Sequence, residues 1–238
     1  RSVGVSLDAA PNTKGDIRNL FLELAEGWPS YYQGKKTDKT NPTHKIITKA
    51  LPDCLKNLSP NTGVLQFHGS AGQGNLTPAP WIAVFHTEIT TTAREEFYIV
   101  YLFSLDLSSL VLEIGLGVTQ FENRYGRNEK MLGECSAAAD VIRASADILK
   151  EKALSQTVQS RLNIGPINLL AGMQSRLHQA YERCAIYYLQ YDMQNLPAIS
   201  SLEHDYKEFL SLYVSMAESI IVPSVSDLSW DSASPNKL

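Results

Sequence analysis

The spacing of apolar positions changes three times along the chain. Ile17, Leu20, Phe21 and Leu24 recur at intervals of three and four, which predicts an amphipathic helix that Gly27 ends. A polar loop spans Gly34–Pro42. The spacing then predicts a short helix over 43–51 that restarts at Pro52, a residue suited to a first helical turn. Beyond residue 63 the period falls to two. Val64–His68, Trp81–His86, Phe97–Phe103 and Leu110–Val118 read as strands, with Gly115 and Gly117 as bulge or close-approach positions. Short connections favour antiparallel pairing between neighbours. Helical spacing returns from Asn128 to Ala153, where Leu132, Cys135, Ala139, Ile142, Ala146 and Leu149 form a stripe. Small residues dominate it, which suits close packing on a sheet better than a coiled coil. Ser160–Ile164 reads as a strand, followed by a helix before Tyr181, a strand over Ala185–Tyr191 and a last helix over Leu202–Ile220. Residues 1–15 read as irregular and 222–238 as a frayed tail. The expectation is one α+β domain over 16–221, a mainly antiparallel central sheet flanked by helices.

Composition narrows the class. With 238 residues, 44% of them hydrophobic and 19% charged, the chain is neither collagen, low-complexity disorder nor a rod. Its longest nearly apolar run, Leu105–Val118, is broken by Asp106 and Glu113 and falls short of the ~20 residues of a membrane span. No membrane partner is expected, and no secretory leader is visible. Cys54, Cys135 and Cys184 are widely spaced and form no CxxC, so a reducing, cytoplasmic setting is the default. The chain begins at Arg1 rather than Met, and a piece of something longer is expected.

The net charge of -4 argues against indiscriminate nucleic-acid binding, but its distribution is uneven. Residues 28–75 carry six lysines against Asp38 and Asp53, whereas 76–120 carry Arg94 against five acids. A basic segment on an acidic body can place a polyanion on one face. The same lysines, Lys35 to Lys39 above all, also read as a solvated loop.

Catalytic patterns are missing. There is no GxxxxGK[ST] and no GxSxG, and Gly115-Leu116-Gly117 lacks the third glycine of a dinucleotide fingerprint. The five histidines are scattered without an HxH or HxxxH pair, so neither a metal nor another cofactor is expected. Asp205-Tyr206-Lys207 has the acid-x-Lys form used by metal-dependent nucleases, but its tyrosine falls on a buried helical face. A binding module is therefore the leading class. A nuclease or other effector with an unrecognised active site, and a peptide- or RNA-binding module, stay as alternatives.

The most informative stretch is 69–121. Gly72-Gln73-Gly74-Asn75 forms a tight polar loop, Pro80-Trp81 opens a strand, and Tyr98 to Phe103 forms another before a strand ending in Gly-Val-Thr. This order resembles the N-terminal DNA-binding domain family of McrB, the specificity subunit of McrBC modification-dependent restriction systems. Tyr181-Glu182, Ile186-Tyr187, Tyr191, Leu196-Pro197 and Leu202 to Tyr213 look like the longer version of that domain, and the likeness covers roughly residues 40–215. The resemblance implies a non-catalytic module that binds duplex DNA and swings a modified cytosine into a pocket. It also implies a prokaryotic defence system, with an NTPase motor and a restriction nuclease elsewhere in the chain or complex. The family's pocket residues fall on Gln73, Trp81, Tyr98 and Leu102, with Gly72, Gly74 and Asn75 shaping the loop. Gln73 replaces the aromatic residue of the classical member, which puts an amide where a stacking wall would stand.

Residue physics points the same way. Tyr98, Val100 and Leu102 share one face of their strand, and the bulkier Phe97, Ile99, Tyr101 and Phe103 share the other, which suits packing under helices. Tyr98 and Leu102 are then left to line a concavity with Trp81. An everted base needs flat π-surface to offset its unstacking. A leucine can meet a methyl group, and the Gln73 amide can bond a base edge. Asn75 suits a turn role. Lys35, Lys36, Lys39, Lys45 and Arg94 are the candidates for phosphate contact. Trp81 and Tyr98 also read as plain sheet core, and Gln73 as an exposed loop residue.

Overall fold

A computed structural model describes residues 15–169 and 176–219. Five strands, β1 (Leu65–Ser70), β2 (Trp81–His86), β3 (Phe97–Phe103), β4 (Ser109–Leu116) and β5 (Ala185–Asp192), form one antiparallel sheet in the order β1-β2-β3-β4-β5. The helices are α1 (Ile17–Gln33), α2 (Pro42–Lys45), α3 (Leu51–Leu58), α4 (Val118–Tyr125), α5 (Glu129–Ala153), α6 (Gln156–Gln159), α7 (Arg176–Arg183) and α8 (Ile199–Ser219). The α+β architecture read from the sequence is the one observed. No helix among the described residues is long and apolar enough to cross a membrane.

The apolar face of β3 packs under helices, as its alternation predicts. Phe21 of α1 meets Tyr101 and Phe103, with ring centroids 4.8 and 6.1 Å apart, and Tyr206 and Tyr213 of α8 meet Tyr101 and Phe97. The Tyr213 hydroxyl accepts the His86 backbone N–H and donates to the Phe97 carbonyl, so a large ring is buried without stranding its polar atom. The α5 stripe is buried at Leu132, Cys135, Ala139, Ile142 and Ala146, and Asn128 caps the helix by accepting the Met131 N–H. Its small residues let it lie close to α8 and β5.

Several boundaries differ from the sequence reading. Helix α1 does not stop at Gly27 but continues to Gln33. A Cβ at position 27 would stand 2.3 Å from the Thr43 Oγ1, so the glycine serves the crossing of two helical segments, not a helix end. The segments over 42–58 do not break before Pro52. Ile46–Ala50 forms a π-helical turn in which the Leu51 N–H reaches the Ile46 carbonyl. The shifted hydrogen-bond register accommodates a proline that has no N–H to give. Val118 opens α4 and does not end β4, and the expected strand at 160–164 is absent. In its place α6 turns the chain, and only Asn163 bridges to Tyr188. The expected bulge is present between Ile114 and Gly115. The expected irregular start over 1–14, the expected last helical position Ile220 and the expected tail over 222–238 lie outside the described residues.

Asp205 of α8 is fully buried. It accepts two hydrogen bonds from the Arg161 guanidinium and one, at 2.9 Å, from the Tyr191 hydroxyl. This ties α8 to the turn after α6 and to β5. Asp205→Ala strands the buried Tyr191 hydroxyl and frees the partly exposed Arg161, and the folded state is expected to lose about 1–3 kcal/mol, measurable by chemical denaturation.

Candidate nucleic-acid interface

The other sheet face is divided. Over β4 and β5 it is covered by Ile167, Leu169 and Tyr181, which pack on Val111, Tyr188 and Leu102. Over β1 to β3 it is partly open. The register sets three rows across that face. Ser70, Trp81, Leu102 and Val111 form one; His68, Ala83, Val100, Glu113 and Tyr188 form the next. Gln66 lies opposite Phe85 in the third, and Phe85 meets Tyr98 edge-on at 5.3 Å.

Trp81 stands between two cavities. The first, of about 550 Å³, lies on the β1 side, between Gln66, His68, Ser70, Gln73, Trp81 and Phe85 on the sheet side and Lys56, Thr92 and Arg94 from α3 and the β2–β3 loop. The second, of about 340 Å³, lies on the β3 side, against Leu102 and Tyr181. The His68 imidazole leans on the indole, with centroids 5.6 Å apart. Three aromatic rings (Phe67, Trp81 and Phe85), two amides, an imidazole, two cations and the Asp53 carboxylate therefore line the first cavity.

The residues nominated from the sequence separate into groups. Gln73, Trp81 and Arg94 meet in the first cavity, and Trp81 and Leu102 in the second. Tyr98 lines neither. It is 5% exposed, its hydroxyl donates to the Ala93 carbonyl, and burial holds its pKa well above the ordinary tyrosine value. Tyr98 buttresses Phe85 and the loop that carries Arg94; Phe85 touches the first cavity but is itself only 3% exposed, so the half-buried Trp81 presents the open aromatic surface. Sequence reading missed Lys56, Gln66, His68 and Phe85. A signal for two of them was present, because Gln66, His68 and Ser70 form a polar period-two face in β1 opposite the strand that Trp81 opens.

Backbone contacts fix both rims. Gly72 has φ +119, and a Cβ there would fall 2.1 Å from the Asn75 carbonyl oxygen, so the loop closes only with glycine. The Asn75 N–H bonds the Gln73 carbonyl, and the Asn75 side chain accepts from the Lys36 ammonium at 2.7 Å. The Thr37 N–H reaches the Gly74 carbonyl and the Leu76 N–H the Lys35 carbonyl, so the basic loop is stitched to the loop of Gln73. Tyr31 pins its far side, accepting from the Asp38 N–H and bonding the His44 Nδ1. Lys35, Lys36, Lys39 and Lys45 are all exposed. Across the cavity, the Gly117 N–H bonds the Glu96 carbonyl and the Gln120 N–H bonds the Arg94 carbonyl. A Cβ on Gly117 would stand 2.3 Å from the Glu95 nitrogen, so this close approach sets the position of the Arg94 turn.

The acid-x-Lys fragment does not reach this face. Its carboxylate is committed to Arg161 and Tyr191, beneath the helical layer. Cys135 and Cys184 are buried in the core, and burial pushes the Cys184 thiol up. Among the described residues no group of three His, Cys, Asp or Glu could hold a metal ion.

Glu113 lies in the middle row, 4% exposed, and its Oε2 has no partner. Burial raises its pKa from 4.5 to about 8, so it is protonated at neutral pH. The unfolded chain releases this proton first. The stabilising contribution is complete below about 4.5 and is lost as pH rises through about 8, at roughly 1 kcal/mol per pH unit. Denaturation between pH 5 and pH 8 is expected to show this slope, and Glu113→Gln to flatten it.

The family model described as "MrcB-like, N-terminal domain" matches residues 24–218. A search of curated proteins finds no match.

Proposed function

We propose that this chain, which belongs to the family of MrcB-like N-terminal domains, reads a modified base everted from duplex DNA into the cavity beside Trp81. Family membership supports a DNA-binding specificity module of a restriction system. The modified-base reading rests on one observation: the cavity sets the half-buried Trp81 indole beside Gln66, His68 and Gln73, and a lysine-bearing loop is fastened to its rim. Stacking on an aromatic ring returns ~1–3 kcal/mol per base, which offsets much of the cost of unstacking. Amide and imidazole groups can pair with a Watson–Crick edge. The substrate class is cytosine carrying a methyl or related group, with the Trp81 indole as its apolar contact; Leu102 lies across the indole, in the second cavity.

Division of labour follows from where the charges lie. Lys35, Lys36, Lys39 and Arg94 supply sequence-independent phosphate contact, and Lys45 extends this charge along α2. The pocket supplies discrimination. The catalytic parts of such a system are assigned to a motor and a nuclease on other domains or subunits.

Trp81→Ala is expected to abolish the preference for a duplex with 5-methylcytosine while leaving weak, salt-sensitive binding, read by fluorescence anisotropy. Equal loss on modified and plain DNA would contradict the pocket. Replacing Lys35, Lys36 and Lys39 with Gln should weaken binding to every duplex and reduce the slope of log K against log salt by about one for each phosphate no longer neutralised. Single-stranded RNA competing as well as duplex DNA would overturn the choice of ligand.

A further inference from the structure

The register places four side chains at the corners of one patch of the open face. Trp81 lies opposite Ser70, and Ala83 opposite His68, so Trp81 and His68 stand on one diagonal and Ser70 and Ala83 on the other. Diagonal positions across two antiparallel strands are roughly 7–8 Å apart, a distance that rings can bridge and short side chains cannot. The imidazole and the indole lean together across their diagonal, with centroids 5.6 Å apart and planes at 46°. Ser70 and Ala83 carry too little bulk to fill the space between the rings. The Ser70 hydroxyl is engaged elsewhere, because it accepts the Gly72 N–H.

The two rings differ in how firmly they are held. The indole is half-buried and packs against the core, whereas His68 is exposed on an edge strand. Among the described residues the imidazole makes no hydrogen bond or ion pair. A planar base between two rings needs a contact of roughly 3.5–4.0 Å on each side, about 7–8 Å in all. The diagonal already supplies that width, so a swing of the imidazole by about 2 Å opens a slot without moving a strand. We infer that His68 is the second stacking surface for the everted base, which lies between the imidazole and the Trp81 indole. This inference rests on the base reading of the first cavity. It gives the imidazole a face-on role in place of an edge contact, and leaves the hydrogen bonds of the base edge to Gln66 and Gln73 in the same cavity. It also provides the flat surface that Phe85, 3% exposed, does not offer.

The test is fluorescence anisotropy on the full chain with two duplexes that differ only in a methyl group at C5 of one cytosine. His68→Ala is expected to weaken binding to the methylated duplex about tenfold, the scale of one lost stacking contact, with plain-duplex binding within about twofold. His68→Phe keeps a flat ring without a nitrogen, and should hold the methyl preference within about twofold of the unaltered protein. His68→Gln keeps hydrogen-bonding groups without a ring, and should lose the preference as the alanine variant does. The exposed position puts no core packing at stake. A preference kept by the glutamine variant and lost by the phenylalanine variant assigns the imidazole to the base edge, and overturns the inference while the base reading stands. A preference kept by all three variants, one lost by all three, or equal weakening of both duplexes by His68→Ala also overturns it. No preference for the methylated duplex in the unaltered protein overturns the base reading and the inference together.

Discussion

The register that sets Trp81 opposite Ser70 on one side and Leu102 on the other is the constraint on which the candidate site depends. Because strand side chains alternate, a slip of one residue would send the indole under the helices and bring Ile82 to the open face. The register is held from beneath. Ile82, Val84, Ile99 and Tyr101 are fully buried against the helical layer, so the apolar face cannot move without losing its packing. The half-buried tryptophan is thus positioned by residues that never touch a ligand. Its two sides differ because its neighbours differ. Polar β1 is an edge strand, whereas β3 is central and apolar.

The site is assembled from loops, yet those loops are tied down. The basic loop after α1 is joined to the loop of Gln73 by backbone hydrogen bonds, a β-bridge and one lysine–asparagine contact. The Arg94 turn is held by Gly117 and Gln120. Such contacts orient charge without neutralising it: Lys35, Lys39 and Lys45 remain exposed, and the acidic balance of the rest of the chain repels a polyanion. In the proposed reading, affinity and discrimination come from different residues. That is the arrangement DNA readers need, because phosphates carry no sequence information.

Glu113 illustrates the cost of a carboxyl under the covered part of this face. A protonated carboxyl with an unpartnered oxygen sits where an aliphatic side chain would pack better, and Gly115 leaves it room. The same face carries Trp81, Leu102 and Tyr98.

How much of this was legible in the chain follows from the range of each interaction. The alternation of Phe97, Ile99, Tyr101 and Phe103 against Tyr98, Val100 and Leu102 is a local property, and it determined which face of β3 is buried. Asn128 before a helical stripe determined where α5 begins, and Gly72 and Gly74 around Gln73 determined a tight loop. Spacing alone carried α+β, all five sheet strands and every described helix except α4 and α6. The tertiary structure decided what lay beyond local reach. Gly27 read as a helix end because its partner, Thr43, comes from another helix. Tyr98 is drawn away from both cavities because its hydroxyl is taken by the Ala93 carbonyl in a loop that strand alternation does not describe. Lys56 and His68 join the cavity through a helix and an edge strand whose meeting no local pattern records. Periodicity assigns a residue to a face; only the packing of distant segments determines which residues on that face are left beside an opening.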